Sequence, residues 1–268
     1  MRTQVERFTL LIATLALSGT VIAQQETIGD RKYELSVVTA DAGDFRDCAN
    51  FREDHSLQLE ASNGLVITWL PAAGDRTGTR FHAVTSAANA YGLALHGTFA
   101  DRSTISGNAV NDRGRTFTFT GRLNPDCWLR AAGHFPGGPH LPASTSDPYS
   151  AAPLNPELYE RSDRSVAGRL YDVRLYGGDS RQDCYQFAIN GVLARNGGAN
   201  LTWRMDDLNT AEDTFQAVGS PAFGTGGVAA FGQRMPCGEL RVHGFDNQEW
   251  GLRLFVGSGQ ETGSCIDD

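Results

Sequence analysis

The sequence predicts an all-β chain made of two tandem homologous domains, each a β-sandwich or small β-barrel closed by a disulfide. An internal repeat, short strand-like runs and the cysteine spacing predict it. Asp47-Cys48 with Phe51 recurs as Asp183-Cys184 with Phe187, and Thr68-Trp69 as Thr202-Trp203. Phe81, Ala83, Val84 and Ser86 recur as Phe215, Ala217, Val218 and Ser220. Gly97 recurs as Gly232, Phe119 and Gly121 as Phe255 and Gly257, and Cys127 as Cys265. A repeat of this length sets domain count and disulfide pairing together.

Residues 1–23 read as a secretory signal peptide. Arg2 and Arg7 form a short basic start, Phe8 to Ala23 is mostly apolar, and Val21-Ile22-Ala23 places compact residues before Gln24. The run is shorter than the roughly 20 apolar residues a membrane span needs, so no membrane insertion is expected after cleavage. The formal charge of the whole chain is −8, and removal of Arg2, Arg7 and Glu6 makes it one unit more negative. That balance disfavours nucleic acid and anionic membrane as partners, since both attract basic patches. The expected localisation is secreted or periplasmic.

Copy one is placed at 28–130. Tyr33 to Val38, Ser56 to Glu60, Leu65 to Trp69 and Thr116 to Thr120 are short alternating or apolar runs with β-branched and aromatic residues. Ala87 to Ala90 offers one short helix. Residues 131–164 form a connector: six of the ten prolines lie between Pro136 and Pro156, among glycines and serines, without periodicity. Copy two, at 165–268, has strand-like runs at Leu170 to Tyr176, Leu201 to Trp203, Val228 to Phe231, Glu239 to Val242 and Leu252 to Val256. About seven strands per copy are expected. Strands of an outer-membrane barrel would be longer and would carry aromatic girdles.

Five cysteines in an exported chain indicate disulfides. The repeat selects Cys48–Cys127 and Cys184–Cys265, each closing a loop of about 80 residues. Cys237, in Pro236-Cys237-Gly238, has no counterpart and is expected to be a free thiol. Trp69 and Trp203 occur in both copies and are assigned to the cores, near the disulfides.

No catalytic set assembles from the sequence. Gly178-Asp179-Ser180 resembles the nucleophile block of the SGNH hydrolases, but the Asp-x-x-His which that family uses to activate the serine does not follow. His55, His82, His96, His134, His140 and His243 form no zinc-like pair. No cofactor is expected. Calcium is the one cation the acidic turns at Asp41, Asp44 and Asp47, and at Asp206, Asp207, Asn209 and Asp213, could take, although neither fits the EF-hand spacing.

Residues found in one copy only mark where the domains diverged. Trp128, Trp250, His82 (opposite Gln216) and His96 (opposite Phe231) are therefore the ligand-binding candidates. The expectation is an exported non-catalytic binding protein for a glycan or partner protein. The alternative is an exported hydrolase or lyase acting on a polymer at an interdomain cleft.

Overall fold

Side chains that alternate in and out close the first copy into a barrel of eight antiparallel strands. A computed structural model of the chain describes residues 29–40, 43–62, 64–72, 79–127, 147–155, 158–160, 162, 165–177, 181–196, 198–205, 214–248 and 251–263. The first barrel is built from β1 (Arg31–Val38), β2 (Phe45–Phe51), β3 (Ser56–Leu59), β4 (Ile67–Pro71), β5 (Arg80–Thr85), β6 (Leu93–Asp101), β7 (Thr104–Asn111) and β8 (Thr116–Leu123). The second uses β9 (Arg169–Tyr176), β10 (Arg181–Phe187), β11 (Val192–Arg195), β12 (Gly198–Met205), β13 (Thr214–Gly219), β14 (Val228–Arg234), β15 (Glu239–Gln248) and β16 (Gly251–Glu261). Each strand pairs with its neighbours in sequence, and β1·β8 and β9·β16 complete the rings.

The interiors are filled. Tyr33, Phe51, Trp69, Phe81 and Phe117 pack inside the first barrel, and Tyr171, Tyr185, Phe187, Trp203 and Phe215 inside the second. Eight strands leave an interior that side chains of this size can fill. Phe81 lies opposite Gly97, and Phe215 opposite Gly232. A Cβ on Gly97 would sit 2.7 Å from the Phe81 ring, so the glycine supplies the room the aromatic takes.

Local contacts repeat between the copies. Trp69 Nε1 donates to Arg52 O and Trp203 Nε1 to Ala188 O, each at 3.1 Å. Trp69 N donates to His55 O and Trp203 N to Gly191 O, each at 2.8 Å. His55 and Gly191 both have positive φ, 65° and 80°. Only the glycine adopts that conformation without a steric cost.

Four expectations are corrected. Each barrel has eight strands, not seven. Residues 87–90 form a turn, not a helix, because Asn89 ties the segment to Val66 N, Val66 O and Ser86 O through its own side chain. Strand pairing aligns Phe117 with Phe255 and Gly121 with Gly259, displacing the Phe119–Phe255 and Gly121–Gly257 matches by two residues. Finally, Trp69 and Trp203 are core residues, but Cys48 lies out of phase with inward Ala49 and Phe51. The Cys48–Cys127 bridge therefore clamps the barrel wall from outside, and Trp69 packs instead on Phe51 and His55. Cys184 is also disulfide-bonded; Cys265 lies outside the described residues. Cys237 is unpaired and exposed in the β14–β15 turn.

The described part of the connector docks on both barrels. Tyr149 enters the end of the first, against Phe45 and Phe117, and is 2% exposed. Asn111 Nδ2 holds that segment by donating to Tyr149 O and Ala151 O. Tyr159 stacks on Trp203 of the second barrel, with ring centroids 4.7 Å apart.

Candidate functional site

Of the four ligand-binding candidates, Trp128 and Trp250 lie outside the described residues. His82 and His96 are both placed at the seam between the barrels, facing the other barrel rather than an open loop. The sequence does not single out the third histidine there, His243.

The seam forms because β5, β6 and β7 are apolar on both faces at one end. Phe81, Ala83, Leu93, Leu95 and Ala109 point into the barrel, while Val84, Ala94 and Val110 point out. These outward residues cluster with Val218, Ala229, Phe231 and Phe245 of the second barrel. A strand buried on both faces reads as a continuous apolar run, and this signal could have located the seam.

The contacts follow a pseudo-two-fold rule. The row Val84–Ala94–Val110 corresponds to Val218–Ala229–Phe245, and His82–His96–Asn108 corresponds to Gln216–Phe231–His243. His96 Nδ1 lies 3.2 Å from Gln216 Oε1, and the mirrored pair is His82 stacked on Phe231 at 4.0 Å. Asn247 Nδ2 donates to Thr68 Oγ1 at 2.9 Å, and its mirror is Thr202 Oγ1 donating to Asp112 O at 2.7 Å. Such reciprocity is the mark of an isologous interface, in this case within one chain. Buried Arg204 adds a contact outside the symmetry, with Nε donating to Gly114 O at 2.9 Å.

The three histidines crowd together. His82 and His243 stack at 4.8 Å, and His82 and His96 meet edge-on at 6.3 Å. Burial holds the His82 pKa well below the ordinary imidazole value, and nearby His243, His96 and Arg80 push it the same way. Burial, with a contribution from His96, lowers His243 to about 4. Both are therefore neutral at pH 7. Parallel stacked rings do not aim lone pairs at a shared point, and no metal-binding group occurs among the described residues.

A second polar cluster closes the end of the first barrel. Asp47 accepts from Cys48 N and Ala61 N on Oδ1 and from the Tyr149 hydroxyl on Oδ2 at 2.7 Å. Both of its oxygens serve protein donors inside the barrel. Of the acidic turn at Asp41, Asp44 and Asp47, Asp47 is buried and Asp44 exposed; Asp41 and the 206–213 turn lie outside the described residues. Burial raises the Asp47 pKa to about 6, against the opposing pull of the Tyr149 and backbone hydrogen bonds. A raised folded-state pKa favours the protonated form. The stability it contributes is fully present below the unfolded value near 3.9 and is lost as pH rises through 6. Amides of β2 are thus expected to gain protection, on the order of 2–3 kcal/mol, between pH 7 and pH 4. Asp47→Asn should flatten that gain. Equal pH dependence in both proteins, read by hydrogen exchange, would remove Asp47 as its source.

On the outer wall of the first barrel, six polar residues line up across six strands. Arg46, Ser36, Thr120, Ser106, Thr98 and Arg80 are successive cross-strand neighbours on β2, β1, β8, β7, β6 and β5. Four hydroxyls are thereby bracketed by two arginines. A shallow depression of about 580 Å³ lies over part of this row, with Glu34, Thr104 and Arg122 at its edge. Arg46 also pairs with Glu34 at 2.9 Å. The corresponding row of the second barrel reads Gln182, Arg174, Ser258, Arg241, Gln233 and Thr214. Neither row carries a repeat signal, because the outward positions differ between the copies.

No protein-family model matches the chain, and no curated protein matches it. Among the described residues no helix is long and apolar enough to cross a membrane.

Proposed function

We propose that the chain is an exported, non-catalytic binding protein that takes its ligand on the outer surface of the first barrel. The filling of both interiors by the protein's own aromatic side chains carries this reading. Neither barrel is a container, so each acts as a rigid support for what its wall and loops display. The polymer-hydrolase reading needs a polar cleft between the domains, and the described seam is packed with valine, alanine and phenylalanine.

Of the two ligand classes, the wall favours a glycan. Serine and threonine hydroxyls both donate and accept, as sugar hydroxyls do. Strand spacing sets them about 4.8 Å apart along the row. Arg46 and Arg80 at its ends suit carboxylate or sulfate groups. A screen of the mature protein against neutral and acidic glycans, with product analysis on every hit, tests the proposal. Acidic glycans are expected to bind unaltered, and Arg46→Ala with Arg80→Ala to weaken binding at least about tenfold. Turnover of any ligand, or binding indifferent to both arginines, would defeat it.

A further inference from the structure

We infer that the seam between the barrels is a pH-operated joint, closed when His82 and His243 are neutral and opened when they gain protons. The inference stands on where the three side chains lie. All three face across the seam, two of them stacked face to face and sandwiched with Phe231. His243 Nε2 is buried and has no hydrogen-bond partner among the described residues.

The surroundings of His82 supply cations rather than counter-ions. Arg80 lies on its own strand β5, His96 on β6 and His243 on β15, and each opposes a proton on His82. Asn108 on β7, Gln216 on β13 and Phe231 on β14 are neutral, and the next cross-strand neighbour of Gln216, buried Arg204 on β12, is a further cation. A proton arriving on His82 or His243 therefore meets an aromatic face or another potential cation.

The copies also diverged at these positions. None of the three histidines has a histidine at its equivalent position, where Gln216, Phe231 and Asn108 stand instead. The apolar rows around them stayed apolar in both copies. Three of the four histidines among the described residues thus lie in a buried surface that can open without breaking either barrel's strand pairing.

The sign follows from the depressed values. In separated barrels His82 and His243 take the ordinary imidazole value near 6.5, whereas docking holds His243 at about 4 and His82 well below 6.5. Well above pH 6.5 both are neutral in both states and docking has full strength. As pH falls from 6.5 towards 4, the separated state takes up protons that the docked state refuses, and docking weakens. For His243 alone, the open-to-closed ratio rises roughly thirtyfold between pH 7.5 and pH 5. The buried Asp47 acts in the opposite direction, since acid strengthens the fold around it, so the first barrel is expected to outlast the joint.

The test uses the full mature chain with spin labels on Cys237 and on Glu53→Cys, both in exposed turns. A single inter-barrel distance is expected at pH 7.5, broadening as pH falls below 6 while far-ultraviolet circular dichroism keeps its strand signal. His82→Gln with His243→Asn, which borrow the residues found at the equivalent positions, should move the broadening to lower pH. His243→Asn alone should give part of that shift, so the test does not depend on the double variant folding. A distance unchanged down to pH 4, broadening only together with loss of strand signal, or broadening at the same pH in the variants would each overturn the inference.

Discussion

Trp203→Ala is expected to destabilise the second barrel by about 3–5 kcal/mol, a large share of the net stability that holds a domain of this size folded. Trp203 is fully buried, stacks on Tyr159, and meets Phe187 edge-on at 5.5 Å. Its indole nitrogen donates to Ala188 O at 3.1 Å. Alanine removes the ring, leaves a cavity bounded by strands that cannot close over it, and takes away the surface on which the connector residue Tyr159 stacks. Trp203→Phe keeps most of the volume and loses the hydrogen bond, for roughly 1–2 kcal/mol. Hydrogen exchange resolved by segment is the measurement. Protection should fall across β12 and β13 and hold in β4 and β5. Equal loss in both barrels would mean that they unfold as one unit.

Removing the Cys48–Cys127 bridge is expected to cost the first barrel about 4 kcal/mol, because the bridge closes a loop of 79 residues in the unfolded chain. The folded geometry shows what else the bridge does. Cys48 is on β2, and Cys127 follows β8 at the point where Asn124 N donates to Lys32 O on β1. The crosslink thus spans β1 and pins the exit of the barrel to the wall two strands away. Urea unfolding of Cys48→Ala with Cys127→Ala, against the oxidised parent, measures the effect. A loss below about 1 kcal/mol would show that the unfolded chain gains little freedom from losing the link.

The parts of this fold legible in the sequence are those that local pattern and repetition both mark. Trp69 and Trp203 with their flanking apolar residues, the Cys48–Cys127 pair, and the strands at Tyr33 to Val38 and Leu170 to Tyr176 are of this kind. The strands not singled out include β5, β6 and β7, where His82, His96, Gly97 and Gly107 interrupt the apolar alternation. Their outward Val84, Ala94 and Val110 are recognisable as a contact surface only once the ring is closed and a second barrel is present. Tyr149 was illegible for another reason. It sits in a proline-rich stretch with no period, and its value comes from Asp47, 102 residues away. In the acidic triplet Asp41, Asp44 and Asp47, sequence spacing does not say which way a strand residue points, and the inward turn of Asp47 follows only from the closed barrel. The polar row from Arg46 to Arg80 depends on five strand registers at once, which no linear reading supplies.

The reciprocal seam has a consequence for how this chain can change. In a pair of identical barrels every contact occurs twice with the same two residues, so a substitution is imposed on both halves of the interface together. Joining the barrels in one polypeptide releases that constraint. The mirrored contacts His96–Gln216 and His82–Phe231 are one ancestral position pair written in two different chemistries, one a polar contact and the other an aromatic stack. A fused pair therefore has twice the independent vocabulary of a symmetric dimer. One half of the surface can keep the barrels together while the other is free to acquire a new response.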